Sequence, residues 1–97
     1  MNVTVARVYL SESEHDYKDI LRVLHDHEGV RGATVFRGIS GFGSSGTIRT
    51  ASLIDLSLDL PIVIEFFDEP ERVEAVLQRL RALIEPWHVL TFAARLS

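Results

Sequence analysis

The apolar positions of this chain switch between two spacings. Residues 3–10, VTVARVYL, are β-branched and aromatic, the composition of a strand. Tyr17, Ile20, Leu21 and Leu24 then fall at i, i+3, i+4 and i+7, one stripe of a helix. Ser11, Ser13 and Asp16 precede that stripe as candidate caps, and Gly29 stands where helices usually stop. Residues 30–37, VRGATVFR, and residues 60–67, LPIVIEFF, read as the second and third strands. DEPE at 68–71 then signals a helix start, with Asp68 as cap and Pro70 in the first turn. Val73, Val76, Leu77, Leu80 and Ile84 continue as an apolar stripe that Pro86 closes, and residues 88–96, HVLTFAARL, make a fourth strand.

The order is β-α-β-β-α-β in one domain spanning 1–97, an α+β chain of the ferredoxin-like kind. It predicts a four-stranded antiparallel sheet with two helices on one face and a long loop between the second and third strands.

Alternation along the strands assigns two faces to that sheet. One set is Ala6, Val8, Leu10, Thr34, Phe36, Ile62, Ile64, Phe66, Leu90, Phe92 and Ala94, expected under the helices. The other is Val3, Val5, Arg7, Tyr9, Ala33, Val35, Arg37, Pro61, Val63, Glu65, Phe67, Val89, Thr91, Ala93 and Arg95. A solvent-facing sheet alternates to polar residues, and this second set is mostly apolar. A patch of that size marks an interface, so the pattern predicts a homo-oligomer packed sheet to sheet. Glu65 among Arg7, Arg37 and Arg95 is expected to form a structural ion network there.

Composition narrows the classes of function. The 97 residues carry a formal net charge of −4, with a single lysine and nine scattered arginines, which argues against a nucleic-acid binder. There is no cysteine, so disulfides, thiolate catalysis and zinc–cysteine sites are excluded. No apolar run reaches the roughly 20 residues needed to cross a bilayer, and MNVTVARVYL has no signal-peptide pattern. The expectation is a cytoplasmic protein without direct membrane insertion.

The chemistry gathers in RGISGFGSSGTIRT, residues 37–50. GFGSSG fits G-x-G-x-x-G, but no helical stripe follows it to hold a pyrophosphate, and the chain is too short for a doubly wound sheet. Gly38 and Gly43 have Walker spacing, but Ser44 stands where a lysine is needed. A mobile hairpin loop is the plain reading. Against it, a connection of about 20 residues in a compact domain is usually functional. Glycine turns present successive N–H groups to anions, and Arg37 and Arg49 flank the stretch with guanidinium groups.

Other polar clusters read as structural. His25 and His27, two apart on a helix, cannot chelate one ion together. His15 lies among Glu12, Glu14 and Asp16, an acidic capping segment. Trp87 beside His88 reads as a packing anchor, with stacking on a ligand base as the minority alternative. Asp55 and Asp59 are expected to solvate the loop end. No nucleophile–base pair or metal triad is evident.

GFG, a long excursion and LPIVIE resemble the PII signal-transduction proteins, in which a strand enters a G-F-G turn, a flexible T-loop follows, and a strand beginning L-P returns. A closer resemblance is to a bacterial PII-like family, domain of unknown function 190. It rests on Arg7-Val8-Tyr9, on GATVFRGISGFGSSG at 32–46, and on DLSLDLPIVIE at 55–65. The resemblance implies a compact homotrimer with its sheets facing inward. It also implies adenine nucleotides in clefts between subunits at the loop base, and docking onto transporters, enzymes or regulators. The matching segment here is Gly41, Phe42 and Gly43, with Arg37, Gly38, Ser44 and Ser45 as neighbours and Arg49 across the loop. Two features depart from PII proteins. IEPWHVL replaces the glycine- and lysine-rich phosphate loop before the last strand, which argues against triphosphate binding in the PII manner. Residues 43–60 hold no tyrosine, which excludes uridylylation there. The expected protein holds a small anionic effector, with an adenine nucleotide foremost, and signals through the loop 40–57. The alternatives are a ligand-free protein-interaction module and a small enzyme on the same scaffold.

Overall fold

The computed structural model describes residues 1–12, 17–43, 46–50 and 59–97. Strand β1 (Asn2–Ser11) leads to helix α1 (Tyr17–Arg22), which widens into a π-helical segment, Val23–Glu28. Strand β2 (Gly32–Arg37) follows, then two short strands, β3 (Ser40–Gly41) and β4 (Arg49–Thr50). Strand β5 (Pro61–Asp68), helix α2 (Pro70–Leu80) and strand β6 (Val89–Arg95) complete the chain. The four long strands lie in the order β2-β5-β1-β6, every neighbour antiparallel. With both helices on one face, this is the ferredoxin-like sandwich that the pattern predicted.

Covering that face, α1 and its π-helical extension contribute Ile20 and Leu24, and α2 contributes Val73, Val76 and Leu80. They bury Ala6, Val8 and Leu10 of β1 and Ile62, Ile64 and Phe66 of β5. The π-helical widening moves the first stripe: Val23 packs on the core together with Tyr17, where 3.6-residue spacing pointed to Leu21. Gly29 ends the segment at φ 59, ψ 42, a left-handed stop that costs glycine little. Asp68 is not the cap of α2. Glu69 holds that position without a side-chain bond. Asp68 instead closes β5 as a buried carboxylate, accepting hydrogen bonds from the Glu69 and Arg31 N–H groups at 2.7 and 3.1 Å and from Arg72 Nε at 3.1 Å.

The register corrects the faces of the two edge strands. Val35 lies opposite Ile64 and Phe36 opposite Val63, so Val35 packs into the core and Phe36 points away from it. Likewise Val89 pairs with Val8, while Leu90 pairs with Arg7 and Phe92 with Val5. The Arg7 guanidinium sits 5.1 Å from the Phe92 ring centre, which puts both on the open side. The helix-covered side therefore takes Ala33, Val35 and Arg37 with Val89, Thr91, Ala93 and Arg95. The open side takes Thr34, Phe36, Leu90, Phe92 and Ala94.

This exchange makes the open face more apolar than the sequence suggested. Phe36, Leu90, Tyr9 and Phe92 are 50, 49, 42 and 39% exposed, and Val5, Val63 and Phe67 lie half-buried between them. The expected ion network reduces to one pair: Arg7 Nε donates to Glu65 Oε1 at 2.9 Å, which raises the Arg7 pKa. Arg37 and Arg95 lie on the other side.

Candidate functional site

Site geometry begins at the end of β2. The Gly38 N–H donates to the Pro61 carbonyl at 2.8 Å, so the outgoing and returning chains meet where the loop leaves the sheet. A Cβ on Gly38 would stand 2.7 Å from Pro61 Cγ, and one on Gly41 3.2 Å from the same atom. These two glycines are there because the proline ring fills the space a side chain needs. Leu60, buried before that proline, gives its carbonyl to the Glu12 N–H at 3.1 Å. Arg37 closes the same corner through an ion pair from its Nε to Glu12 Oε1.

Beyond the corner, β3 and β4 form a two-stranded ribbon, Ser40 opposite Thr50 and Gly41 opposite Arg49. The Ser40 and Thr50 hydroxyls are hydrogen-bonded at 2.9 Å. At the tip the Gly46 N–H donates to the Gly43 carbonyl at 2.9 Å, and Gly46 has φ 76. Positive φ occurs in GFGSSG only at Gly46 among the described residues. Gly43 is neither left-handed nor crowded: a Cβ there meets nothing within 4 Å among the described residues.

The sequence-selected residues thus separate into two groups. Arg37, Gly38 and Gly41 gather around Pro61, and Arg49 faces Gly41 across the ribbon. Phe42 and Gly43 extend past them, with Phe42 73% exposed. Ser44, Ser45, His15 and Asp55 lie outside the described residues. Glu12, which reads as part of an acidic cap, is the ion partner of Arg37. Pro61 was visible in the L-P start of the strand as a boundary, not as the wall against which two glycines pack.

Trp87 is a second correction. It is not a packing anchor within the chain, because it is 99% exposed. It also carries φ 68, a left-handed backbone at a bulky L-residue. Beside it, His88 lies 3.7 Å from Glu85 through Nδ1.

The remaining charges hold the scaffold. Glu28 is bound by Arg79 Nε through both carboxylate oxygens at 2.5 and 2.7 Å, which lowers its pKa. Arg72 joins the Glu28 carbonyl to Asp68, tying the end of the π-helical segment to α2. His25 Nδ1 lies 2.7 Å from Asp26 Oδ1, a contact that lowers the Asp26 pKa. A groove of about 510 Å³ runs between α1 and β2, lined by Lys18, Arg22, Arg31 and Ala33 among others. It lies at the Gly32 end of β2, away from Gly38.

Known proteins place this architecture in a class. A family model, DUF190 (Uncharacterized ACR, COG1993), matches residues 3–95, and the chain belongs to that family. The UPF0166 protein MJ1524 of Methanocaldococcus jannaschii is 36% identical over 86 residues, 84% of this chain and 78% of the relative. Among solved structures, the chain is similar in fold to CPII of Thiomonas intermedia K12, bound to ADP and bicarbonate. The TM-score is 0.62 at 22% identity, covering 97% of this chain and 85% of CPII. A second CPII structure, described as a nitrogen regulatory PII-like protein bound to ADP, AMP and bicarbonate, gives 0.62 at 22% identity over 96% and 90% of the two chains. The fold is that of the PII-like proteins.

Proposed function

We propose that the chain is a PII-like regulatory protein: a homotrimer that holds an anionic effector, foremost an adenine nucleotide, in clefts between subunits. The loop 40–57 then reports occupancy to a transporter or enzyme. The observation that carries this reading is the open face of the sheet. Phe36, Leu90, Tyr9 and Phe92 stand 39–50% exposed around a single ion pair, and each large side chain buried there is worth about 1.5–3 kcal/mol. Copies of the same chain, packed sheet to sheet, cover it. Arg37, Gly38, Gly41, Phe42 and Gly43 then form one wall of a cleft, and Ser44, Ser45 and Arg49 complete the proposed set of ligand residues. The nucleotides bound to CPII support an adenine nucleotide as the effector. Glycine N–H groups and a guanidinium supply the donors its charged end needs. Binding changes the surface that the loop offers.

Sedimentation and calorimetry test the reading together. The chain, 10.9 kDa each, is expected to sediment as three copies and to bind ADP. A single-chain particle at high concentration overturns it. A specific observation favours one alternative: Ile39, Phe42 and Ile48 stand 79, 73 and 69% exposed along the ribbon. They offer an apolar surface to a protein partner without any small ligand. Capture of a partner by a trimer that binds no nucleotide would select that alternative.

A further inference from the structure

Pro86, Trp87 and His88 turn the chain from α2 into β6. Trp87 is the only non-glycine residue with positive φ among the described residues. A bulky L-side chain is strained in that conformation, and strained residues concentrate at ligand clamps. Trp87 is 99% exposed, so its ring packs on nothing among the described residues.

Register fixes where this residue stands. The His88 carbonyl accepts the Tyr9 N–H at 2.9 Å, which puts Trp87 level with Leu10. Leu10 pairs with Ile62, and Ile62 with Arg37. Trp87 therefore lies at the end of the sheet from which the loop leaves, but on the β6 edge. Arg37 and Gly38 lie on the β2 edge, three strand spacings or about 14 Å away.

A ring of copies removes that separation. Each chain has one β2 edge and one β6 edge, and head-to-tail closure of the ring proposed above would set the β2 edge of one copy beside the β6 edge of the next. Rotation about an axis running with the strands keeps equivalent ends together. Each junction then holds Gly38, Gly41 and Arg37 from one copy and Trp87 from its neighbour.

We infer that Trp87 is the stacking platform for the base of the nucleotide in that junction, the charged end lying on the glycine segment of the adjoining copy. The inference rests on the cleft proposed above and names the residue that would recognise the base. Stacking on an indole needs only the π-face of the base. The proline and the left-handed turn hold the ring outward before the ligand arrives, which lowers the ordering cost of binding.

Trp87 is the one tryptophan of the chain, so its fluorescence reports this position alone. The assembled full-length protein is titrated with ADP, adenosine and ribose 5-phosphate, while equilibrium dialysis of radiolabelled ADP measures binding independently. ADP and adenosine are expected to quench the emission, and ribose 5-phosphate, which has no base, to leave it unchanged. Trp87→Ala should weaken ADP binding about 10-fold, with circular dichroism and sedimentation unchanged, and Trp87→Phe should restore most of the affinity. ADP bound in dialysis without quenching, at equal affinity in Trp87→Ala, overturns the stacking role and leaves the cleft reading standing. No ADP bound in dialysis overturns both. An emission shift that follows protein concentration without ligand assigns Trp87 to a subunit contact and overturns the stacking role.

Discussion

The two faces of this sheet are built from similar residues and meet different fates. On one, Val8, Ile64 and Phe66 are fully buried beneath Leu24, Val73, Val76 and Leu80. On the other, Tyr9, Phe36, Leu90 and Phe92 keep two-fifths to half of their surface in water. The first face has collected its hydrophobic free energy within one chain. The second can collect it only from another molecule, which makes its side chains determinants of assembly more than of folding.

Substitution on the covered face gives the largest expected effect. Phe66→Ala removes a ring with no exposure and leaves a cavity, at a cost of about 3–5 kcal/mol. Urea denaturation should show a lowered midpoint, or a chain already unfolded in buffer. The parallel change on the open face, Phe92→Ala, should move the transition of the single chain by about 1 kcal/mol or less. An equal loss at both positions would erase the contrast between the faces.

Charges placed on the open face test what covers it. Phe36→Asp combined with Leu90→Asp removes about 1.5–3 kcal/mol of burial at each site in every copy and adds carboxylates to a desolvated contact. The variant should keep the far-ultraviolet dichroism of the native chain and sediment as one copy. Unchanged sedimentation would show that another surface holds the copies together.

The faces also show which parts of the structure are legible in the residues. Strand and helix identities follow from period and composition, and so does the four-strand order of elements. The sides taken by β2 and β6 do not. In residues 89–95 the bulkier and more apolar set, Leu90 and Phe92, points away from the helices, and the set containing Thr91 and Arg95 takes their side. Choosing the bulkier set for the core assumes one buried face, and a sheet with two apolar faces defeats that choice. Only the register, Val35 opposite Ile64 and Val89 opposite Val8, decides. At the candidate site the glycines mark the right corner of the molecule, but their separate reasons need coordinates. Gly38 and Gly41 yield to Pro61, Gly46 to a positive φ, and Gly43 to nothing among the described residues. Trp87 shows the opposite failure: a lone tryptophan after a proline reads as core, and its exposure is visible only in the structure.

The crowded and the uncrowded glycines extend the contrast to the loop base. Gly38→Ala puts a methyl group 2.7 Å from Pro61 Cγ and should cost about 1–3 kcal/mol in stability. Gly43→Ala meets open space and should stay within about 0.5 kcal/mol of the parent, while weakening ADP binding by crowding the approach of the phosphates. Thermal melts separate the first effect from the second, and dialysis measures the second alone. Equal ADP affinity in Gly43→Ala would exclude close backbone approach at that residue.

The smallest effect concerns how the covered side is fastened. Arg79 grips both oxygens of Glu28, and that hydrogen bonding depresses the Glu28 pKa against the opposing effect of burial. A carboxylate depressed in the folded state stabilises it above its unfolded pKa, near 4.3. That contribution is lost as pH falls through the lower folded value. The native chain should therefore lose stability on acidification below about pH 4.5, and Glu28→Gln should lose less over the same interval. The difference should stay under about 1 kcal/mol, because the Arg79 side chain is 60% exposed and solvent screens the pair. Melts at pH 7 and pH 4 on both proteins measure it. A Glu28→Gln profile parallel to the native one would assign the acid sensitivity to another carboxylate and leave apolar packing as the main fastening of the helices to the sheet.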